Sequence, residues 1–91
     1  MTAVDPGATL SHRALALLRA TAAGRVELTF SSEPDFRVDQ LPCCDQPAAR
    51  VLVHAGLVEP AVAAPPGHWV PAHLSPAGIQ LLTLNTPYAA A

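Results

Sequence analysis

The sequence predicts a small α+β domain of three helices with a β-hairpin, and three observations carry that expectation. Apolar residues recur at helical spacing over His12–Ala23, then switch to a period of two over Arg25–Phe30. Two apolar runs, Leu57–Val62 and Trp69–Leu74, flank a loop rich in proline and glycine. A last short helix with its own start signal follows them. The 91 residues, 51% hydrophobic and 13% charged with net charge −2, leave room for one core and are too apolar for a disordered chain. No apolar run approaches the ~18–20 residues of a membrane helix, so no membrane partner is expected. A chain this size buries only ~60–65% of its unfolded surface, which makes a homodimer the expected state.

Each element has local causes. Residues 1–10, with Asp5-Pro6-Gly7, read as a loose arm. Ser11 is a good N-cap and Gly24 a good stop for the first helix, whose inner stripe is Leu10, Ala14, Leu17, Leu18 and Thr21. Val26, Leu28 and Phe30 share one face of the first strand. Ser31–Asp35 is turn-like. Phe36–Leu41 reads either as a strand, from the alternation of Phe36 and Val38 with Arg37 and Asp39, or as a short helix anchored by Phe36 and Leu41; the alternation favours the strand. Asp45 caps a second helix, Gln46–Ala55, with Pro47 tolerated in its first turn and Gly56 ending it. Its core stripe is Ala48, Ala49, Leu52 and Ala55, with Val51 flanking. Pro60 and Pro71 each remove a ladder donor, which predicts that neither strand of the hairpin is central in a wide sheet. Ser75-Pro76 starts the final helix, Pro76–Thr83, with Ile79 and Leu82 facing inward. The folded domain is thus expected over 11–83, with a tail over 84–91.

The segments Ala55-Gly56-Leu57-Val58-Glu59 and Val70-Pro71-Ala72-His73-Leu74-Ser75-Pro76-Ala77-Gly78-Ile79-Gln80-Leu81-Leu82 resemble winged helix-turn-helix regulators of the MarR, PadR and ArsR type. Those families end the recognition helix with a small residue and Gly, open the wing with Leu-Val, and close it with Leu-[Ser/Thr]-x-x-Gly-x-x-Leu. The resemblance spans roughly Ser11 to Leu82 and is specific only in these two segments. It implies a winged-helix-like domain with an additional strand or hairpin after the first helix. It further implies a small cytoplasmic DNA-binding transcriptional regulator whose recognition helix is 46–55 and whose wing tip is 63–68. A looser similarity around Glu33-Pro34-Asp35 and Cys43-Cys44-Asp45-Gln46 is to small actinobacterial proteins and implies no activity.

Under that resemblance, Gln46, Arg50, Val53 and His54 are the exposed residues of the recognition helix. Gln46 and Arg50 stand one turn apart, suited to adenine and guanine edges respectively, and His68 at the wing reaches a phosphate when protonated. Arg50 is the chief contact expected. The local charge opposes this: Glu27, Glu33, Asp35, Asp39 and Asp45 face Arg37 alone over residues 27–45, and phosphate neutralisation supplies most nonspecific DNA affinity. Low charge and an apolar recognition helix suit instead a winged-helix module that binds protein and not DNA. A third reading is a thiol- or metal-responsive switch on Cys43 and Cys44, a pair too close for an ordinary intramolecular disulfide. Its plainer alternative is that one cysteine packs in the core. The absence of a basic, apolar leader in Met1–Leu10 and of a disulfide framework predicts the cytoplasm.

The remaining polar residues carry simpler expectations. His12, His54, His68 and His73 share no face that defines a metal site, and Ser31, Ser32 and Ser75 serve turns and caps. Glu33 and Asp35 sit in a turn with no pocket. Gly24 and Gly67 form no phosphate loop, so no cofactor and no catalysis are expected. Trp69 is expected to anchor the hairpin on the core or on a dimer partner.

Overall fold

The computed structural model describes residues 11–43 and 45–85; the arm over 1–10, Leu10 of the first stripe, Cys44 and the end of the tail lie outside the described residues. Three helices, α1 (His12–Ala22), α2 (Gln46–His54) and α3 (Pro76–Asn85), alternate with five strands, β1 (Val26–Thr29), β2 (Phe36–Val38), β3 (Leu41–Pro42), β4 (Val58–Pro60) and β5 (Trp69–Leu74). The chain order is α1–β1–β2–β3–α2–β4–β5–α3. The strands form one antiparallel sheet in the order β3-β2-β1-β5-β4. The expected α+β class with three helices therefore holds. Leu84 and Asn85, read from sequence as tail, belong to α3.

α1 begins where the Ser11 side chain accepts the Ala14 N–H at 3.0 Å, and ends as Gly24 N donates to Thr21 O. Its inner stripe, Ala14, Leu17, Leu18 and Thr21, is buried as the periodicity predicts. Thr21 tolerates this position because its hydroxyl donates to Leu17 O at 2.7 Å. Val26, Leu28 and Phe36, each 1% exposed, project from one sheet face into the core with Leu18 of α1 and with Ala49 and Leu52 of α2.

The chain then turns through residues 30–35. Thr29 N donates to Asp35 O, and Asp35 N donates to the Thr29 hydroxyl at 2.8 Å, which closes the turn and buries Pro34. The ambiguous segment is a hairpin: β2 returns beside β1 and β3 beside β2, joined by Asp39-Gln40 with φ of 52° and 68°. Two consecutive left-handed residues give the turn the twist a two-residue hairpin needs. Arg25 holds it, with Nη2 at 2.6 Å from Asp39 Oδ2 and its carbonyl accepting from Asp39 N. Between β1 and α2 the described residues contain strands and turns and no helix.

β4 and β5 pair as the expected hairpin, Val58 opposite Leu74, but β5 also pairs with β1, Leu28 opposite Val70. The expectation that Pro71 keeps its strand from an interior position is thus wrong. The hydrogen-bonding side explains why. Pro71 O accepts from Ala61 N, so the missing Pro71 N–H points toward Ala61, one residue past the end of β4. Only the frayed end of the ladder loses a donor.

Two other inward assignments also fail. Ile79 is 55% exposed, and Leu81 takes the core position instead. Trp69 is 39% exposed on the open sheet face, where the Arg37 guanidinium lies 4.3 Å from its ring centroid. It does not anchor the hairpin on the core. The start of α3 is a close joint. Ser75 Oγ donates to Gly56 O and accepts from Gly78 N, while Ser75 N donates to Leu57 O.

Candidate functional site

The residues read from sequence as a recognition surface lie on α2, which starts as Asp45 Oδ1 accepts the Ala48 N–H at 3.1 Å. Gln46, Arg50 and His54 do form a row on this helix, but the row faces the Glu33–Phe36 segment and its hydrogen-bonding groups are engaged there. Gln46 Oε1 accepts from Phe36 N at 2.8 Å, and its Nε2 donates to Phe36 O and Cys43 O at 2.9 Å. Arg50 Nε donates to Pro34 O at 3.0 Å and its Nη2 pairs with Asp35 at 2.8 Å. His54 Nε2 lies 3.0 Å from Glu33 Oε2. Gln46, Arg50 and Val53 are half-buried, so their reading as exposed is corrected. Pro34 and Phe36 are core residues, which makes the segment that α2 holds a fixed part of the fold.

What α2 turns to solvent is the stripe Pro47, Val51 and His54. Val51 is 55% exposed, and the stripe offers no free donor or acceptor set for a base edge apart from the imidazole already beside Glu33. Val53 instead packs against the core and lines a cleft of about 580 Å³ between α2, the end of β1 and the 61–68 loop. Phe30, Ser31, Ser32, Pro60 and Pro66 complete its walls together with Leu28 and Thr29, so no cationic side chain lines it.

The loop closes in a turn that its sequence dictates. His68 N donates to Pro65 O across Pro66-Gly67, and Gly67 has φ of 85°, the geometry of a type II turn with Pro and Gly at its two central positions. Gly67 N donates to Phe30 O while Phe30 N donates to His68 O, a bulge that fastens the turn to the end of β1. The loop is therefore pinned beside the cleft, with the His68 side chain exposed.

Charges are paired across the molecule. Of five arginines, four hold carboxylates: Arg13 with Asp45, Arg25 with Asp39, Arg37 with Glu27 and Arg50 with Asp35. Arg19 alone has no carboxylate partner among the described residues. Glu59 pairs with His73 at 2.7 Å. The hydrogen bond from Arg25, aided by its charge, lowers the Asp39 carboxyl below the usual carboxylate range, and the same contact raises Arg25.

Cys43 is half-buried against the core, its N–H donating to Phe36 O. Its sequence neighbour lies outside the described residues, and among those described no three His, Cys, Asp or Glu side chains gather as a metal site. No described helix is long and apolar enough to cross a membrane.

The sequence reading missed the cleft and the outward valine. Phe30, Pro60 and Pro66 come from three separate segments, so their meeting had no local signature. The side that Val51 faces depends on how α2 is rolled against the core. No protein-family model matches the chain, and neither the curated proteins nor the solved structures contain a match to it.

Proposed function

We propose that this chain is a winged-helix-like module for binding a protein partner, with the cleft between α2 and the proline-rich loop as its contact site. The observation that carries this reading is the lining of the cleft: apolar side chains with Thr29, Ser31 and Ser32 and no cation, beside an α2 whose polar row is spent on Glu33–Phe36. A duplex needs phosphates neutralised in this position, and a net charge of −2 with four paired arginines supplies little for that. An apolar cleft fixed between a helix and a pinned loop suits the anchor side chains of a protein segment.

The transcriptional-regulator reading is the second one, favoured by the run of α2, the β4–β5 hairpin and α3 after an N-terminal helix, though three strands separate α1 from α2, and by the exposed His68. It requires Arg50 and Gln46 to leave Asp35 and Phe36 in favour of DNA. One experiment separates the two. A photo-crosslinking residue at Val62, which is 55% exposed in the loop, is irradiated in cells of origin. A discrete adduct that resists nuclease and is lost on Val53→Asp, in a variant whose circular dichroism is unchanged, supports the protein module. A nuclease-sensitive adduct, together with binding to random duplex DNA that weakens steeply with salt, supports the regulator and overturns our reading.

A further inference from the structure

A second groove, about 420 Å³, runs between α1 and the β2–β3 hairpin, and its features point to a different occupant. Ala16, Leu17 and Ala20 form one wall, and Val38 and Leu41 face them. Leu41 is 68% exposed, more than any other large hydrophobic residue described. It stands at this lip because of the Asp39-Gln40 turn, two successive non-glycine residues at positive φ. Such a conformation persists only where the surroundings hold it, and Arg25 does so from the rim of the same groove. An exposed leucine is thus presented by a strained, externally braced turn at the mouth of an apolar trough.

Strand addition does not explain the arrangement. Cys43 N donates inward to Phe36 O, so the next residue back, Pro42, faces outward, and it has no N–H to offer a new strand. What fits is a side-chain surface carrying an apolar knob. The rim alternates in sign, with Arg13 paired to Asp45 and Arg25 to Asp39, so the patch carries no net charge and can meet a copy of itself without net repulsion. Arg13 is held loosely, at 3.3 Å with its side chain 73% exposed, and is free to turn to a carboxylate across a contact.

From these observations we infer that the occupant is a second copy of this chain, related by a two-fold axis, with Leu41 of each copy seated in the groove of the other. Knob and groove belong to one patch, which is the requirement for a closed, isologous contact. This inference is independent of the α2 cleft and stands or falls without it.

The test is sedimentation of the full chain from about 1 μM to about 1 mM, a span that covers weak and moderate dimers. The expected result is a concentration-dependent dimer whose dissociation constant rises at least about tenfold in both Leu41→Asp and Ala16→Glu. Both positions are exposed, so the circular dichroism of each variant stays that of the parent, and either one alone suffices if the other misfolds. Ile79→Asp, at another exposed position on α3, leaves the dimer intact. A monomer across the whole range, a dimer indifferent to both groove variants, or one dissolved by Ile79→Asp overturns the inference.

Discussion

Gly78 shows how much one side chain can decide in a chain this small. A Cβ there would lie 2.1 Å from the carbonyl oxygen of Leu57, so α3 could not approach the β4 entry while Ser75 bridges the same joint. Gly78→Ala should lower stability by roughly 2–4 kcal/mol, since backbone must move against backbone, as measured by urea unfolding. Gln46 carries a comparable burden through three hydrogen bonds that satisfy Phe36 on both its backbone groups. Gln46→Ala removes the side-chain partner of Phe36 N and of Cys43 O, while Phe36 O keeps the Cys43 N–H, and should cost about 1–3 kcal/mol. The Ser75 and Gly78 pattern was legible in the sequence because cap and helix are neighbours. The task of Gln46 was not, because its partner is ten residues away on a strand whose existence was itself ambiguous. Asp39 offers a pH test. Its carboxyl is lowered in the folded state, so its contribution to stability is complete above the ordinary aspartate range and fades as pH falls through the lowered value. Carbon-detected NMR should find its midpoint below that of a free aspartate, and Arg25→Gln should return it to the ordinary range.

At the level of elements, prolines govern where the sheet stops. Pro42 on β3 and Pro60 on β4 both face outward from the two edge strands, and neither can donate to another chain. Pro60→Thr should leave the fold intact and restore an outward N–H, with slow concentration-dependent association seen by light scattering as the expected outcome. The elements themselves were largely readable. α1, β1, α2 and β5 fall within a residue or two of their periodicity and capping signals, because those signals are local. The rule that failed, that Pro71 excludes an interior strand, needs the direction of one N–H, which pairing decides and composition does not. Of the two residues expected inward on α3, Leu82 packs on the core and Ile79 does not, for a similar reason: an uncharged helix gives no charged face from which to infer its roll.

For the whole molecule, the arrangement of charge is the most telling feature. Among the described residues four arginine–carboxylate pairs and two histidine–carboxylate contacts are formed, all with at least one well-exposed partner except Arg37–Glu27, in which both are half-buried. Such pairs are weak and screened by salt, so about 0.5 M sodium chloride should shift the melting temperature by only a few degrees. The row foreseen on α2 is present, but Gln46 and Arg50 are half-buried against the Glu33–Phe36 segment and only His54 stays exposed. Residue types and their spacing were visible in the sequence, but the acidic segment that meets them was read as a neighbour in charge and not as a docked partner. The pairing of β1 with β5 has a further consequence, for biosynthesis. Leu28 finds Val70 only 42 positions later, so the middle of the sheet stays open on the ribosome until β5 has emerged. The sheet therefore closes only once β5 is available, and a nascent chain stalled before Trp69 would expose the flank of its first strand to chaperones and proteases.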